Sequence, residues 1–197
     1  ISFEHAACLP IAGLTALQSL RDHGRIAAGK KVLINGAAGG VGHFAVQIAK
    51  VFGAEVTAVT SHRNGAFVKG LGADRVIDYG NEDFTRGSER YDLIFDAVSR
   101  SSFWDCRRVL APRGIYVSTL PNATIVAQIV TTFLPGRKAR QMWVKASAAD
   151  MAWMMDQIKA GKVKVVIEQV YPLSKVSDAL AASEGGRTRG KIVITAR

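Results

Sequence analysis

The stretch KVLINGAAGGVGHFAVQIAKVF, residues 31–52, constrains the fold more than any other part of the chain. Residues 31–35 are a short apolar run of the kind found in strands covered on both faces. In 41–52, Val41, Phe44, Ala45, Ile48 and Phe52 recur at helical spacing and make one apolar face. Between the two stand Gly36, Gly39, Gly40 and Gly42. A buried strand that passes through glycines straight into an amphipathic helix opens a βαβ unit, so the rest of the chain is predicted to supply further parallel strands.

Four more runs fit that expectation: EVTAVT (55–60), RVIDY (75–79), YDLIFDAV (91–98) and GIYVSTL (114–120). Each is rich in Val and Ile, as strands covered on both faces are. Helical patterns lie between them: a short helix over 64–71, closed by Gly72, and another over 101–110, ended by Pro112 and Gly114. The alternation predicts an α/β fold, a Rossmann-type doubly wound parallel sheet with right-handed crossovers. After Pro121 the texture changes. Residues 123–134 read as a helix or a buried strand, 141–146 (QMWVKA) as a strand, and 148–160 as a helix ended by Gly161. The tail holds a strand, a short helix and a last strand, KIVIT (191–195). No internal repeat and no low-complexity linker interrupts this order.

The glycine turn carries the first functional reading. Aligned to the GxGxxG pattern, the first position is Ala37 and the other two are Gly39 and Gly42. The middle glycine lets the backbone approach a pyrophosphate, and the last lets helix pack closely on strand. Free N–H groups at the helix start, with Gly40 and Val41 among them, then favour the negative charge. The position following Gly36, after a strand and before a helix, is the setting in which this motif predicts dinucleotide binding. The end of the second strand selects which dinucleotide. NAD sites place an acid there for the ribose 2′-hydroxyl, but no Asp or Glu occurs between Glu55 and Asp74. Ser61, Arg63 and Asn64 occupy the place instead, and a guanidinium suits a 2′-phosphate through paired, charge-assisted bonds. NADPH is the expected cofactor.

Composition limits the alternatives. A chain of 197 residues can hold one domain with a sizeable core, or one domain plus part of another. No apolar run approaches the length of a membrane span, and no targeting segment is visible, although the chain starts at Ile1. Two cysteines, Cys8 and Cys106, form neither a CxxC nor a cysteine–histidine cluster, so they read as plain buried thiols in a reducing, cytoplasmic setting. The net charge is +10, and no acid lies between Asp105 and Asp150, where Arg107, Arg108, Arg113, Arg137, Lys138, Arg140 and Lys145 all occur. Such a field suits nucleic acid, a membrane surface or a phosphorylated ligand, or is a solvated face. No RNA-binding signature accompanies it.

Taken together, LPIAGLTALQSL, VLINGAAGGVGHFAVQIAK, LGADRVIDY, FDAVS and RGKIVI resemble the medium-chain dehydrogenase/reductase superfamily, in particular its zinc-independent quinone oxidoreductase-like branch. The resemblance runs end to end. It implies that Thr15 lies near the nicotinamide, and that Ser61, Arg63, Asn64 and Tyr79 surround the adenosine 2′-phosphate. It also implies that the backbone of Ala97 and Val98, and of Ser118, Thr119 and Leu120, runs under the cofactor. Ile11 stands where zinc alcohol dehydrogenases carry a cysteine ligand, and the cysteine-rich lobe is missing, so no metal is expected. The family pattern DAVG is here Asp96-Ala97-Val98-Ser99, and the side chain of Ser99 is expected to shift the turn slightly.

The same resemblance implies a domain division: an NADP-binding domain over 1–146, and a segment over 147–197 belonging to an incomplete GroES-like domain whose N-terminal part is absent. The expected activity of the intact protein is hydride transfer from NADPH to a small molecule: a quinone, an enone or another activated carbonyl. No catalytic residue is assigned, since a proton donor is expected from the missing domain, and the isolated chain is expected to bind NADPH with little turnover. The alternative is a non-catalytic nucleotide-binding or RNA-binding module using the basic 107–145 surface. A homodimer is expected through an edge strand near 141–146.

Overall fold

The structure, a computed structural model, describes residues 1–120 and 124–196. Pro121, Asn122, Ala123 and Arg197 fall outside it, so the first residue of the 123–134 segment and the last of the 147–197 segment are not described. The first element is a nearly unbroken helical rod: α1 (Phe3–Ala7), a π-helical turn over Leu9–Gly13, α2 (Leu14–Gln18) and a second π turn over Ser19–His23. Pro10 has no N–H to donate and its ring crowds the turn before it, which fits the widening there.

The doubly wound core follows as β1 (Lys31–Asn35), α3 (Gly42–Val51), β2 (Glu55–Thr60), α4 (Gly65–Gly70), β3 (Arg75–Asp78) and β4 (Tyr91–Asp96). It is completed by α5 (Phe103–Cys106), β5 (Leu110–Ser118), α6 (Thr124–Phe133) and β6 (Lys138–Gln141). All pairings are parallel, in the order β3-β2-β1-β4-β5-β6. Strand order reverses beside β1, which leaves a crevice past the carboxyl ends of β1 and β4. Side chains alternate between two cores. Val32, Ile34, Leu93, Phe95, Ile115 and Val117 face one, and Leu33, Ile94 and Tyr116 the other.

The segment read as helix or strand at 123–134 is helical, as α6. Two expectations are corrected. The helix over 101–110 shrinks to α5, started by a capping box between Ser102 and Asp105. Pro112 and Gly114, taken as helix stops, lie inside β5 instead. The ladder to β4 shifts register there, between Tyr91 and Leu93, and a Cβ on Gly114 would stand 2.8 Å from the Tyr91 carbonyl oxygen. A bulge and a close strand approach both need the glycine.

The second correction moves the edge strand from 141–146 to 138–141. Its ladder ends where β5 ends, with the Met142 amide donating to the Ser118 carbonyl at 2.8 Å. Beyond it, Gln18 of α2 stands in for a strand: its Nε2 donates to the Lys145 carbonyl and its Oε1 accepts from the Lys145 amide, both at 2.9 Å. The edge is also less open than expected. The outward amides of Ala139 and Gln141 donate to Thr131 Oγ1 (3.0 Å) and Gln128 Oε1 (2.5 Å) of α6.

The tail comprises α7 (Ala148–Lys159), β7 (Ile167–Pro172), α8 (Val176–Glu184) and β8 (Lys191–Thr195). α7 packs on the main core through buried Met154 and a stack of Trp153 on Phe52, 5.7 Å between rings. β7 and β8 pair with each other in a separate two-stranded sheet.

Candidate cofactor site

At the β1–α3 turn, sterics require glycine at two positions. Gly36 has φ +80°, and a Cβ there would stand 2.5 Å from Val98 Cγ1. A Cβ on Gly42 would stand 2.1 Å from the Gly36 carbonyl oxygen, so the first turn of α3 lies against the end of β1. Among the described residues no acceptor reaches the amides of Gly40 and Val41, which remain as donors at the helix start. The turn is braced from the tail: the Gly190 amide donates to the Ala38 carbonyl at 2.9 Å. Lys191, next in line, lays its side chain over Gly40, its Nζ 3.4 Å from where a Cβ would be. The reading of the residues missed Lys191, whose only signal was a lysine opening the last strand.

The carboxyl ends of β1, β4 and β5 are tied by a buried carboxylate that the sequence reading also missed. Asp96 is fully buried. Its Oδ1 accepts from Asn35 Nδ2 at 3.0 Å, the Ser99 amide at 2.7 Å and the Val98 amide at 3.2 Å. Its Oδ2 accepts from the Ser101 amide at 3.0 Å and from the Tyr116 hydroxyl at 2.9 Å, which also lies 2.6 Å from the Ser101 carbonyl. Burial and the adjacent carboxylate hold the Tyr116 phenol well above its usual range, so it stays protonated as a donor. The aspartate thereby ends β4 at 96, short of the expected 98, by drawing the next amides onto itself. Ala97 and Val98 are carried to the crevice, with Val98 against Gly36.

Ser99 does more than shift the turn. It adopts φ +52°, in the left-handed region that favours glycine. Its Oγ is 2.8 Å from Ser118 Oγ and 3.4 Å from Thr119 Oγ1, and accepts from the Leu120 amide at 3.0 Å. The ends of β4 and β5 are thus joined through one hydroxyl.

At the end of β2, Asn64 is buried and its Nδ2 donates to Ser61 Oγ at 3.3 Å. Arg63 is exposed and its Nη2 donates to the Arg187 carbonyl of the tail. Tyr79 is 63% exposed beside them, its amide bonded to the Thr60 carbonyl at 3.1 Å. The nearest acid, Asp78, accepts from the Gly80 amide at 3.0 Å and Asn81 Nδ2 at 2.8 Å, and its Oδ2 lies 3.9 Å from His62 Nδ1. The structure brings Gly36, Gly39, Gly40, Val41 and Gly42 together with Val98, and Ser118, Thr119 and Leu120 together with Ser99. Thr15 is buried in α2, which packs on α3. Among the described residues no hydrogen bond ties Thr15 to the strand ends.

His43 links the turn to the tail. Its Nε2 accepts from the Val166 amide at 3.4 Å, which leaves Nδ1 to donate to the Gly39 carbonyl at 3.1 Å. Burial, with the Lys191 charge nearby, pushes its pKa down to about 4, so the ring is neutral.

The chain is similar to known proteins over most of its length. A family model described as zinc-binding dehydrogenase matches residues 71–194. A chloroplast envelope quinone oxidoreductase homolog of Arabidopsis thaliana is 36% identical over 205 residues, covering 98% of this chain and 62% of the relative. A 2-methylene-furan-3-one reductase of Solanum lycopersicum is 36% identical over 199 residues, covering 98% of this chain and 47% of that protein. The solved quinone oxidoreductase of Coxiella burnetii superposes with a TM-score of 0.90 at 33% identity, over 100% of this chain and 62% of that one. The chain therefore spans less than two thirds of these relatives' length. It belongs to the zinc-binding dehydrogenase family, within the medium-chain dehydrogenases/reductases, and corresponds to their nucleotide-binding half.

Proposed function

We propose that the intact protein is an NADPH-dependent oxidoreductase that reduces a quinone, an enone or another activated carbonyl, and that this chain is its cofactor-holding part. The observation that carries the reading is the β1–α3 turn: glycines that no side chain can replace, free helix-start amides, and the Lys191 ammonium above them. That cradle fits a pyrophosphate in shape and charge. The 2′-phosphate falls to Arg63 with Ser61, Asn64 and Tyr79, at a strand end where no free carboxylate competes. The backbone of Ala97, Val98, Ser118, Thr119 and Leu120 bounds the rest of the dinucleotide, and Thr15 is assigned to the nicotinamide end. When bound, the nicotinamide supplies the hydride; this chain's residues bind, orient and shield. We assign no proton donor, and the isolated chain turns over little or nothing.

Residues 1–146 are read as the NADP-binding domain, and the segment from Ser147 onward as the part that completes a GroES-like second domain. In support, β7 and β8 form a sheet of their own, with Val170, Leu173 and Ile194 exposed around it. The zinc-independent reading rests on Ile11, whose side chain has no atom that binds a metal and is 68% exposed in the π turn over Leu9–Gly13. Both thiols are free and buried, which suits a reducing compartment such as the cytoplasm. Among the described residues no helix is long and apolar enough to cross a membrane.

The homodimer is proposed through the β6 side of the sheet. Because the outward amides of Ala139 and Gln141 are held by α6, the contact falls to the outer face of α6, where Val126, Ile129, Val130 and Phe133 are exposed. The RNA-binding alternative has less support, since Arg137, Lys138 and Arg140 are turned onto backbone carbonyls. Fluorescence titration of the purified chain tests the cofactor reading. Arg63→Ala should weaken NADPH by roughly 10- to 100-fold, the size of a lost charged hydrogen-bond pair. NADH should bind poorly to both proteins. Equal binding of the two cofactors to the wild type would remove the 2′-phosphate assignment.

A further inference from the structure

We propose that Ser99 is a positioning residue: its hydroxyl locks the loop after β5 to the loop after β4, so that both present one fixed surface to the far half of the dinucleotide. This rests on the cofactor reading above. Adenosine 2′-phosphate is assigned to the end of β2 and pyrophosphate to the turn after β1. In the order β2-β1-β4-β5, a molecule continuing in that direction next meets the ends of β4 and β5. Those ends are the 97–99 and 118–120 loops.

Two observations carry the role. The backbone of Ser99 sits at φ +52°, where glycine is unstrained and serine is not. Its hydroxyl is saturated with contacts to the facing loop: Ser118 Oγ at 2.8 Å, Thr119 Oγ1 at 3.4 Å and the Leu120 amide at 3.0 Å. On its other side, the Ser99 amide is held at 2.7 Å by Asp96, which is anchored in turn by Asn35 of β1 and Tyr116 of β5. The hydroxyl is the outermost member of a chain of bonds that starts in the core. A glycine would fit the backbone better but would leave the 118–120 loop without its anchor to 99.

The test compares wild type, Ser99→Gly and Ser99→Ala in the full 197-residue chain. The readouts are thermal stability, hydrogen exchange at the Leu120 amide, and titration with NADPH and with adenosine 2′,5′-bisphosphate, which lacks the far half. Ser99→Gly is expected to keep its melting temperature because it relieves the positive φ, and Ser99→Ala to lose some. In both, the Leu120 amide should exchange faster. NADPH should weaken by about ten-fold, the scale of one lost hydrogen bond, while the bisphosphate changes less than about two-fold, within a few tenths of a kcal/mol. If wild type binds both ligands and the variants bind NADPH as well as it does, the positioning role is overturned and the cofactor reading stands. An equal loss of both ligands would mean general damage and would also overturn it. If wild type binds neither ligand, the cofactor reading falls and takes this role with it.

Discussion

Asp96 is the residue on which the crevice depends. A buried carboxylate is tolerated only when donors are aimed at it. Here the Asn35 amide, the Tyr116 hydroxyl and the amides of Val98, Ser99 and Ser101 supply them. Asp96→Ala leaves those groups facing an empty site, so the unfolding free energy should fall by about 3–5 kcal/mol in urea denaturation. The glycines make a second residue-scale contrast. Gly42→Ala must push the Gly36 carbonyl aside and should cost about 2–3 kcal/mol, as overpacking does. Gly70→Ala, with nothing within 4 Å of a new Cβ, should be neutral or add up to about 1 kcal/mol of helix propensity. A Gly42→Ala protein as stable as the wild type would show that the turn is not tightly packed.

At the scale of elements, the tail is held to α3 by side chains acting as strand partners. Gln47 Nε2 donates to the Lys164 carbonyl at 3.0 Å and its Oε1 accepts from the Lys164 amide at 2.7 Å, one turn along from His43 and Val166. That docking should depend on pH. Unfolded His43 takes a proton near its ordinary pKa of 6.5, whereas folded His43 refuses it until about pH 4. The unfolded state then binds more protons in between, and stability falls as pH drops through that window. The loss between pH 7 and pH 5 should be about 2 kcal/mol. Melting temperatures across this range should fall steeply in wild type and less in His43→Gln, which keeps a residual slope because burial also lowers His23. Identical slopes would remove His43 as the cause. The helix at 101–110 was misread at this scale because Pro112 and Gly114 stop helices locally, yet serve a bulged strand once β4 lies alongside.

For the whole molecule, the open question of the sheet edge becomes a question about α6. Thr131 and Gln128 on its inner side close the β6 edge, and Lys138 Nζ donates to the Thr131 carbonyl at 2.6 Å near the end of α6. The outer side leaves apolar residues in water, with Phe133 84% exposed. Light scattering should give twice the monomer mass, and Val126→Glu with Ile129→Glu should restore the monomer without lowering the melting temperature, since both side chains point outward. A wild-type monomer at high concentration would dismiss the dimer.

The α/β class, the strand–glycine–helix turn and the absence of an acid after β2 were all legible in the chain, because they rest on local periodicity and on what glycine alone permits. Gly42 is constrained by atoms within a few residues of itself, and the positive φ of Gly36 by the turn it makes, although the side chain that crowds it, Val98, comes from a distant strand end. Asp96, Ser99 and Lys191 are different. Their meaning comes from partners that lie far along the chain, at Asn35, Tyr116, Leu120 and Gly40, and no spacing rule connects such positions. The same holds for β6: the apolar run at 141–146 looks like a strand in isolation, but the strand stops where β5 stops. Pairing partners, and the buried groups that join them, are decided only when the sheet is assembled.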